Sequence, residues 1–325
     1  MADIVLDVEN LGVDFVTRQS SVRAVDGFSL RVRRGETVGI VGESGSGKSV
    51  SSLAVMGLLP TPPAKVDGVS RIMVGGRDIT GFREAQWRAL RGPVMAMIFQ
   101  DPMTCLNPYL RVDRQLTEGM RLHLKLSRRE ADKKARALLD LVRVPDVGRC
   151  LRGWPHELSG GMRQRVMIAM ALACDPRLVF ADEPTTALDV TVQAQILELF
   201  DRLRQQFQTG FIMISHDLGL IATCSDFIVV MYAGQVMEQG RPEDLFVRGG
   251  HPYTRALRDS IPDLDGEKTR RLPTIRGLPP DAGGAQQGCA FVERCPEALD
   301  RCRQGTVPLT RVSPDHWVRC YLVQE

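Results

Sequence analysis

The segment Gly42-Glu43-Ser44-Gly45-Ser46-Gly47-Lys48-Ser49 sets glycines, a lysine and a hydroxyl residue at the spacing G-x-x-x-x-G-K-[ST]. Glycines let successive backbone N–H groups converge on phosphate oxygens without side-chain clash. A helix starting at the end of the loop adds its partial positive charge, and Lys48 supplies a full, mobile charge for the β- and γ-phosphates. Ser49 offers its hydroxyl to Mg²⁺. Further along, Leu178-Val179-Phe180-Ala181-Asp182-Glu183 is an apolar run closed by two acids. Asp182 suits the coordination shell of Mg²⁺, and Glu183 suits a general base that polarises an attacking water. Alone, the first segment could be a glycine turn and the second a strand capped by solvated acids. Together they point to binding and hydrolysis of a nucleoside triphosphate.

Such residues work only if strands and a helix hold them. Glu36 to Val41 is a compact apolar run leading into the glycine loop, and Lys48 to Leu59 suits a helix closed by Pro60. This gives strand, loop, helix, the context the motif requires. Ile4 to Val16 and Ala24 to Val32 alternate apolar and polar residues and predict short antiparallel strands. From Glu84 to about Pro155 the sequence turns charged with helical period, and Ser127 followed by Glu130 forms a capping box, so a helical insertion is expected. Strands are predicted again at Leu178 to Ala181, Phe211 to Ser215 and Asp226 to Met231. They alternate with helices at Gly161 to Cys174 and Thr191 to Gln206. That alternation predicts an α/β fold with a mostly parallel sheet, whose ligands bind at the carboxyl ends of the strands. Beyond about Gly249 the chain becomes irregular, with eight of the 19 prolines in its last 75 residues.

The composition narrows the class. A length of 325 residues fits about two domains, or one domain with a large addition. The 42 Lys and Arg against 39 Asp and Glu leave a net charge of +3, with no basic stripe interleaved with aromatics, so a nucleic-acid partner is not expected. The longest uninterrupted apolar run, Val166 to Cys174, is nine residues. A membrane span needs roughly 18. The opening residues MADIVLDVEN lack the basic-then-apolar layout of a secretory signal, which points to the cytoplasm. Of the eight cysteines, Cys105, Cys150, Cys174 and Cys224 are scattered, whereas Cys289, Cys295, Cys302 and Cys320 crowd 32 residues near the end. A reducing compartment disfavours disulfides. Four thiols in a short, proline-rich segment leave three readings open: an iron–sulfur cluster, zinc, or thiols that bind nothing. The lack of close C-x2-C pairs counts against common structural zinc sites.

Leu158-Ser159-Gly160-Gly161-Met162-Arg163-Gln164 resembles the signature motif of ABC transporter ATPases. Physically it is a second anion site, with small residues baring backbone N–H groups at the start of an apolar helix. Other landmarks of that family stand in order. Gln100 follows the apolar run Val94 to Phe99 and resembles the Q-loop residue, Thr186-Ala187-Leu188-Asp189 resembles the D-loop, and His216 resembles the switch histidine. The resemblance spans essentially the whole chain and is nearest to the ATP-binding subunits of dipeptide and oligopeptide importers. It rests also on Phe99-Gln100-Asp101-Pro102-Met103-Thr104-Cys105-Leu106-Asn107-Pro108, on His251-Pro252-Tyr253-Thr254-Arg255-Ala256-Leu257 and on the cysteine tail. Cys105 stands where serine is usual, a small isosteric change.

The resemblance implies a phosphate-loop (RecA-like) ATPase core with an antiparallel β subdomain and a helical subdomain at about 84–158. The core would fill residues 1–249, and an irregular cysteine-bearing domain would fill 250–325. It implies ATP and Mg²⁺ as ligands, with Ser49, Gln100 and Asp182 at the metal and Glu183, His216 and Gln100 in hydrolysis. Phe15 is a candidate for stacking on adenine, with a core role as the alternative. Ser159, Gly160, Gly161 and Asp189 would complete the ATP site of a second ATPase subunit in a head-to-tail pair. The remaining implied partners are two transmembrane permeases and an extracytoplasmic peptide-binding protein, with the chain peripheral on the cytoplasmic face of the inner membrane. Related importers of nickel, glutathione or antimicrobial peptides are the first alternative, and a soluble ABC ATPase acting on nucleic acid, which the near-neutral charge disfavours, is the second. Similar tails imply a [4Fe–4S] cluster on Cys289, Cys295, Cys302 and Cys320.

Overall fold

The computed structural model of the protein describes residues 4–18, 20–185, 190–261, 274–280 and 287–323. The sequence resolves into two sheets and a helical layer. The first sheet is antiparallel: β1 (Ile4–Val16) pairs with β2 (Ser21–Arg33), β4 (Ala64–Val66) and β5 (Arg71–Val74), and β5 pairs with β6 (Arg77–Asp78). β1 has the bounds its alternation predicts, and β2, also 13 residues, runs past the predicted Ala24 to Val32 at both ends; register shifts re-aim the pair without ending it.

The second sheet has eight strands. Its parallel part comprises β3 (Thr37–Val41), β7 (Met95–Ile98), β8 (Leu178–Asp182), β9 (Gly210–Ser215) and β10 (Phe227–Tyr232). β12 (Thr310–Ser313), β13 (His316–Val318) and β11 (Gln235–Gly240) stand at one side, followed by β10, β3, β9, β8 and β7 in that order. Every residue of β3, β7, β8 and β9 is buried, which is why these strands read as continuous apolar runs rather than alternating ones. α1 (Lys48–Val55) leaves the end of the glycine loop. It stops before the expected Leu59 because Gly57, at φ +62°, turns the chain back.

The stretch 84–158 holds α2 (Glu84–Leu90), the core strand β7, α3 (Pro102–Cys105), α4 (Val112–His123), α5 (Arg128–Leu141) and α6 (Val147–Arg152). The purely helical part therefore begins after β7, whose four residues Met-Ala-Met-Ile are too short to announce themselves between helical patterns. Ser127 and Glu130 make the expected capping box: Ser127 N–H donates to Glu130 Oε2 (2.8 Å) and Glu130 N–H to Ser127 Oγ (3.4 Å). α4 and α5 pack Leu116, Met120, Ala135 and Leu139 into the same core as Val166 and Ile168 of α7 (Gly160–Leu172). α8 (Val190–Phe207) and α9 (Leu218–Cys224) connect β8 to β9 and β9 to β10.

The last segment is tied into the core. β11 (Gln235–Gly240) pairs with β13 (His316–Val318), which pairs with β12 (Thr310–Ser313), so residues beyond 250 extend the main sheet. The carboxylate of Glu238, fully buried on β11, accepts the N–H groups of Gly250 (2.8 Å) and His251 (2.8 Å) and lies 2.7 Å from His316 Nε2. α10 (Pro242–Val247) and α11 (Pro252–Asp259) bracket that junction.

Phe211 on β9 is 1% exposed and its ring meets that of Phe200 on α8 at 5.5 Å. Phe211→Ala should lower unfolding free energy by about 3–5 kcal/mol, the usual cost of a truncated buried aromatic, measured by urea denaturation of the purified chain.

Candidate nucleotide-hydrolysis site

In the parallel part of the sheet the loops leave from one edge. Spatial order there is β3, β9, β8, β7, so the glycine loop after β3, His216 after β9, Asp182 and Glu183 at the end of β8, and Gln100 after β7 stand side by side. This is the edge at which ligands bind in open α/β sheets.

The glycine loop is shaped by contacts that no side chain could share. A Cβ on Gly42 would come within 2.1 Å of the Met231 carbonyl oxygen, and one on Gly47, at φ +99°, within 2.7 Å of that of Ala24. Ser44 and Gly45 are exposed at the tip, whereas Ser46 and Lys48 are buried. Lys48 Nζ donates to the Gly42 and Glu43 carbonyl oxygens (2.7 and 2.8 Å) and lies 3.4 Å from Ser46 Oγ. Burial lowers its pKa, against the attraction of Glu183, Asp182 and Glu43. A cation held this way by neutral carbonyls is poised to take an anion.

Ser49 Oγ donates to Asp182 Oδ1 (2.9 Å). Burial raises the Asp182 pKa, with Glu183 adding repulsion, while the Ser49 hydroxyl and Lys48 oppose the rise. A buried carboxylate paired with a hydroxyl, both oxygen donors, matches what Mg²⁺ takes. Glu183 has φ +45°, an uncommon backbone for a glutamate, held by its N–H donating to the Ile214 carbonyl (2.9 Å). Its Oε2 accepts from Gln100 Nε2 (3.0 Å), and its Oε1 lies 3.3 Å from His216 Nδ1. One carboxylate thus joins the ends of three strands. The His216 side chain is 58% exposed, so this junction faces the solvent edge of the sheet.

Ser159, Gly160 and Gly161 lie elsewhere. Ser159 caps α7, its Oγ accepting from Met162 N–H (3.3 Å), and Cβ atoms added at Gly160 or Gly161 would meet nothing within 4 Å. This helix start is an open surface. Phe15 is half-buried against the core of the antiparallel sheet. Asp189, with Thr186 to Leu188, lies outside the described residues.

All eight cysteines are free thiols. Cys289 is pushed up to about 11, first by burial and then by the charges of Cys320, Cys302 and Cys295, against a backbone hydrogen bond from Phe291. Burial also raises Cys295 and Cys320. The Cys289 N–H donates to the Cys302 carbonyl (2.7 Å). The four thiols therefore lie within electrostatic reach of one another, yet among the described residues no three His, Cys, Asp or Glu side chains are arranged as a metal-ligand set. The expected cluster thus finds no support in side-chain placement among the described residues.

Two contacts that matter here are not announced by the sequence, although Tyr253 lies in one of the stretches that carry the resemblance. Arg294 reaches across to the Glu43 carboxylate, and Tyr253 Oη accepts the Glu43 N–H (2.9 Å). No motif announces a contact over more than 200 residues; the only local hint is an arginine beside Cys295.

Comparison with known proteins agrees with this geometry. The family described as "ABC transporter" matches residues 25–186, and "Oligopeptide/dipeptide transporter, C-terminal region" matches residues 237–302. The chain is 48% identical over 324 residues to a probable peptide ABC transporter ATP-binding protein, y4tR, of Sinorhizobium fredii, covering 100% of this chain and 96% of that one. It is 47% identical over 320 residues to the oligopeptide transport ATP-binding protein OppD of Salmonella typhimurium, covering 98% and 94%. It is also 47% identical over 319 residues to the dipeptide transport ATP-binding protein DppD of Bacillus subtilis, again covering 98% and 94%. Among solved structures, cbiO1 of Clostridium perfringens, part of the ABC transporter complex cbiONQ, superposes with a TM-score of 0.65 at 27% identity, covering 76% of this chain and 92% of that one. The ATP-binding cassette MJ0796 shares the fold, with a TM-score of 0.65 at 24% identity over 73% of this chain and 98% of that one. With glycine loop, paired acids and C-terminal segment all matched at nearly half identity along both chains, this chain belongs to the ATP-binding proteins of the oligopeptide/dipeptide ABC transporter family.

Proposed function

We propose that this chain is the ATP-hydrolysing subunit that energises an importer of dipeptides or oligopeptides. The observation that carries the reading is the Glu183 carboxylate, held between Gln100 and His216 beside the Ser49–Asp182 pair and the lysine of the glycine loop. In this reading the backbone of residues 42–49 and Lys48 bind the phosphates, Lys48 exchanging two carbonyl partners for phosphate oxygens. Ser49, Asp182 and Gln100 hold Mg²⁺, which supplies Lewis-acid charge to the phosphoryl oxygens. Glu183 accepts a proton from water, and His216 and Gln100 orient that carboxylate. Phe15 is the candidate for the adenine face.

The exposed start of α7 supports a role for Ser159, Gly160 and Gly161 across a subunit boundary, over nucleotide held by a second ATPase subunit; Asp189 is assigned to the same boundary. A nucleotide gripped from both sides binds the closed pair better than the open one, and that difference is what moves a partner. The remaining partners are two transmembrane permeases and an extracytoplasmic peptide-binding protein. Among the described residues no helix is long and apolar enough to cross a membrane, which supports peripheral attachment to the cytoplasmic membrane face through the permeases. Residues 1–249 form the ATPase unit in this reading and 250–325 the oligopeptide-type C-terminal unit. A [4Fe–4S] cluster on Cys289, Cys295, Cys302 and Cys320, with a structural or redox-sensing role, is part of this reading on donor type alone, since thiolates are the ligands such clusters take.

Glu183→Gln should retain ATP binding and lose about 10²–10⁴-fold in hydrolysis within the assembled transporter, the usual contribution of general base catalysis. Hydrolysis near the wild-type rate would refute the assignment. Anaerobically purified protein should contain iron and acid-labile sulfide; a colourless preparation lacking both would end the cluster reading and leave the ATPase reading untouched.

A further inference from the structure

Arg294 is the least exposed arginine–carboxylate partner described near the site: its side chain is 5% exposed, and it lies 251 residues from the Glu43 that it grips. Nη1 donates to Glu43 Oε2 (2.5 Å) and Nη2 to Oε1 (3.0 Å), a two-pronged pairing. Two further donors are used, Nη1 to Tyr232 Oη (3.1 Å) and Nε to the Arg276 carbonyl (2.8 Å). The guanidinium lies over the rings of Tyr232 (5.7 Å) and Phe291 (5.9 Å). Phe291 packs on Tyr253 (5.2 Å), whose hydroxyl receives the Glu43 N–H (2.9 Å). The Glu43 carbonyl in turn accepts from Lys48 Nζ (2.8 Å). Every polar group of this loop residue is therefore committed, two of the three to residues beyond 250.

Glu43 is an acid inside a loop built to receive anions. Unpaired, its carboxylate would repel the triphosphate and compete for Lys48, and at a partly buried site such interactions are only weakly screened. We propose that Arg294 is a positioning residue of the ATP site, which neutralises Glu43 and fixes the first turn of the phosphate loop. The inference rests on the ATP-binding reading above. It makes the C-terminal segment a working part of the nucleotide site rather than an addition to it.

The test is a double-mutant cycle on the full chain, read by equilibrium titration with a fluorescent ATP analogue and Mg²⁺, with the melting temperature of each variant. Arg294→Ala should weaken binding about tenfold when Glu43 is present, and by less than about twofold in the Glu43→Gln background, because its cost acts through that carboxylate. Arg294→Lys, which keeps charge but loses the fork, should give a smaller loss with Glu43 and none with Glu43→Gln. Equal weakening in both backgrounds would mean that Arg294 only supports the tail, and overturns the proposal, as does unchanged binding by Arg294→Ala. If Arg294→Ala does not fold, the Lys variant decides by the same criterion. Wild-type protein that fails to bind the analogue, or binds it as well after Lys48→Ala, would instead refute the ATP reading itself.

Discussion

Parallel pairing of β3, β9, β8 and β7 forces four carboxyl ends onto one edge of the main sheet. Each crossover between parallel neighbours must carry the chain back along a helix, so the loops that leave that edge are separated in sequence and adjacent in space. A glycine loop, a histidine, two acids and a glutamine from positions 42 to 216 therefore share one surface. Were one of these strands to reverse direction, its residue would stand at the opposite end of the sheet, about one strand length away. The burial of all four strands on both faces makes the arrangement costly to change, since a strand leaving its place would expose apolar residues on both sides.

Given that edge, the electrostatics follow. Lys48 is buried and bonded to neutral carbonyls, Asp182 is buried and bonded to a hydroxyl, and each lies in the field of the other. Neither charge is fully compensated by a direct partner. Glu183 adds a backbone held at φ +45° so that its carboxylate lies between Gln100 and His216. Strain and incomplete compensation gather where chemistry is expected, while the packing behind them is ordinary. The start of α7 is bare on the same chain, with open space beside Gly160 and Gly161, and the proposed reading assigns that surface to contact with a second subunit.

The C-terminal segment carries an equivalent economy. Glu238 and His316 bind it to β11, β12 and β13 prolong the sheet, and Arg294 and Tyr253 reach the glycine loop. The short turn between Cys289 and Cys295 holds both the aromatic ring that packs on Tyr232 and Tyr253 and the arginine that pairs with Glu43. Whatever orders that turn bears on the phosphate loop as well.

The nucleotide machinery was legible in the chain because it is local: a loop eight residues long needs its glycines, lysine and serine at fixed spacing, and a strand ending in Asp182-Glu183 shows its burial as an apolar run. The capping box at Ser127 was legible for the same reason, since it closes within three residues. Strand β7, hidden between helical patterns, was not, because four apolar residues have no period of their own. Nor was the pairing of Arg294 with Glu43, or the extension of the sheet by β12 and β13. Those depend on contacts over 70 to 250 residues, and a sequence carries no signal for a contact that only the closing of the tertiary fold brings within hydrogen-bonding distance. Short-range spacing marks out the residues able to handle a phosphate, whereas only the closed fold brings Arg294 onto the carboxylate of Glu43 among them.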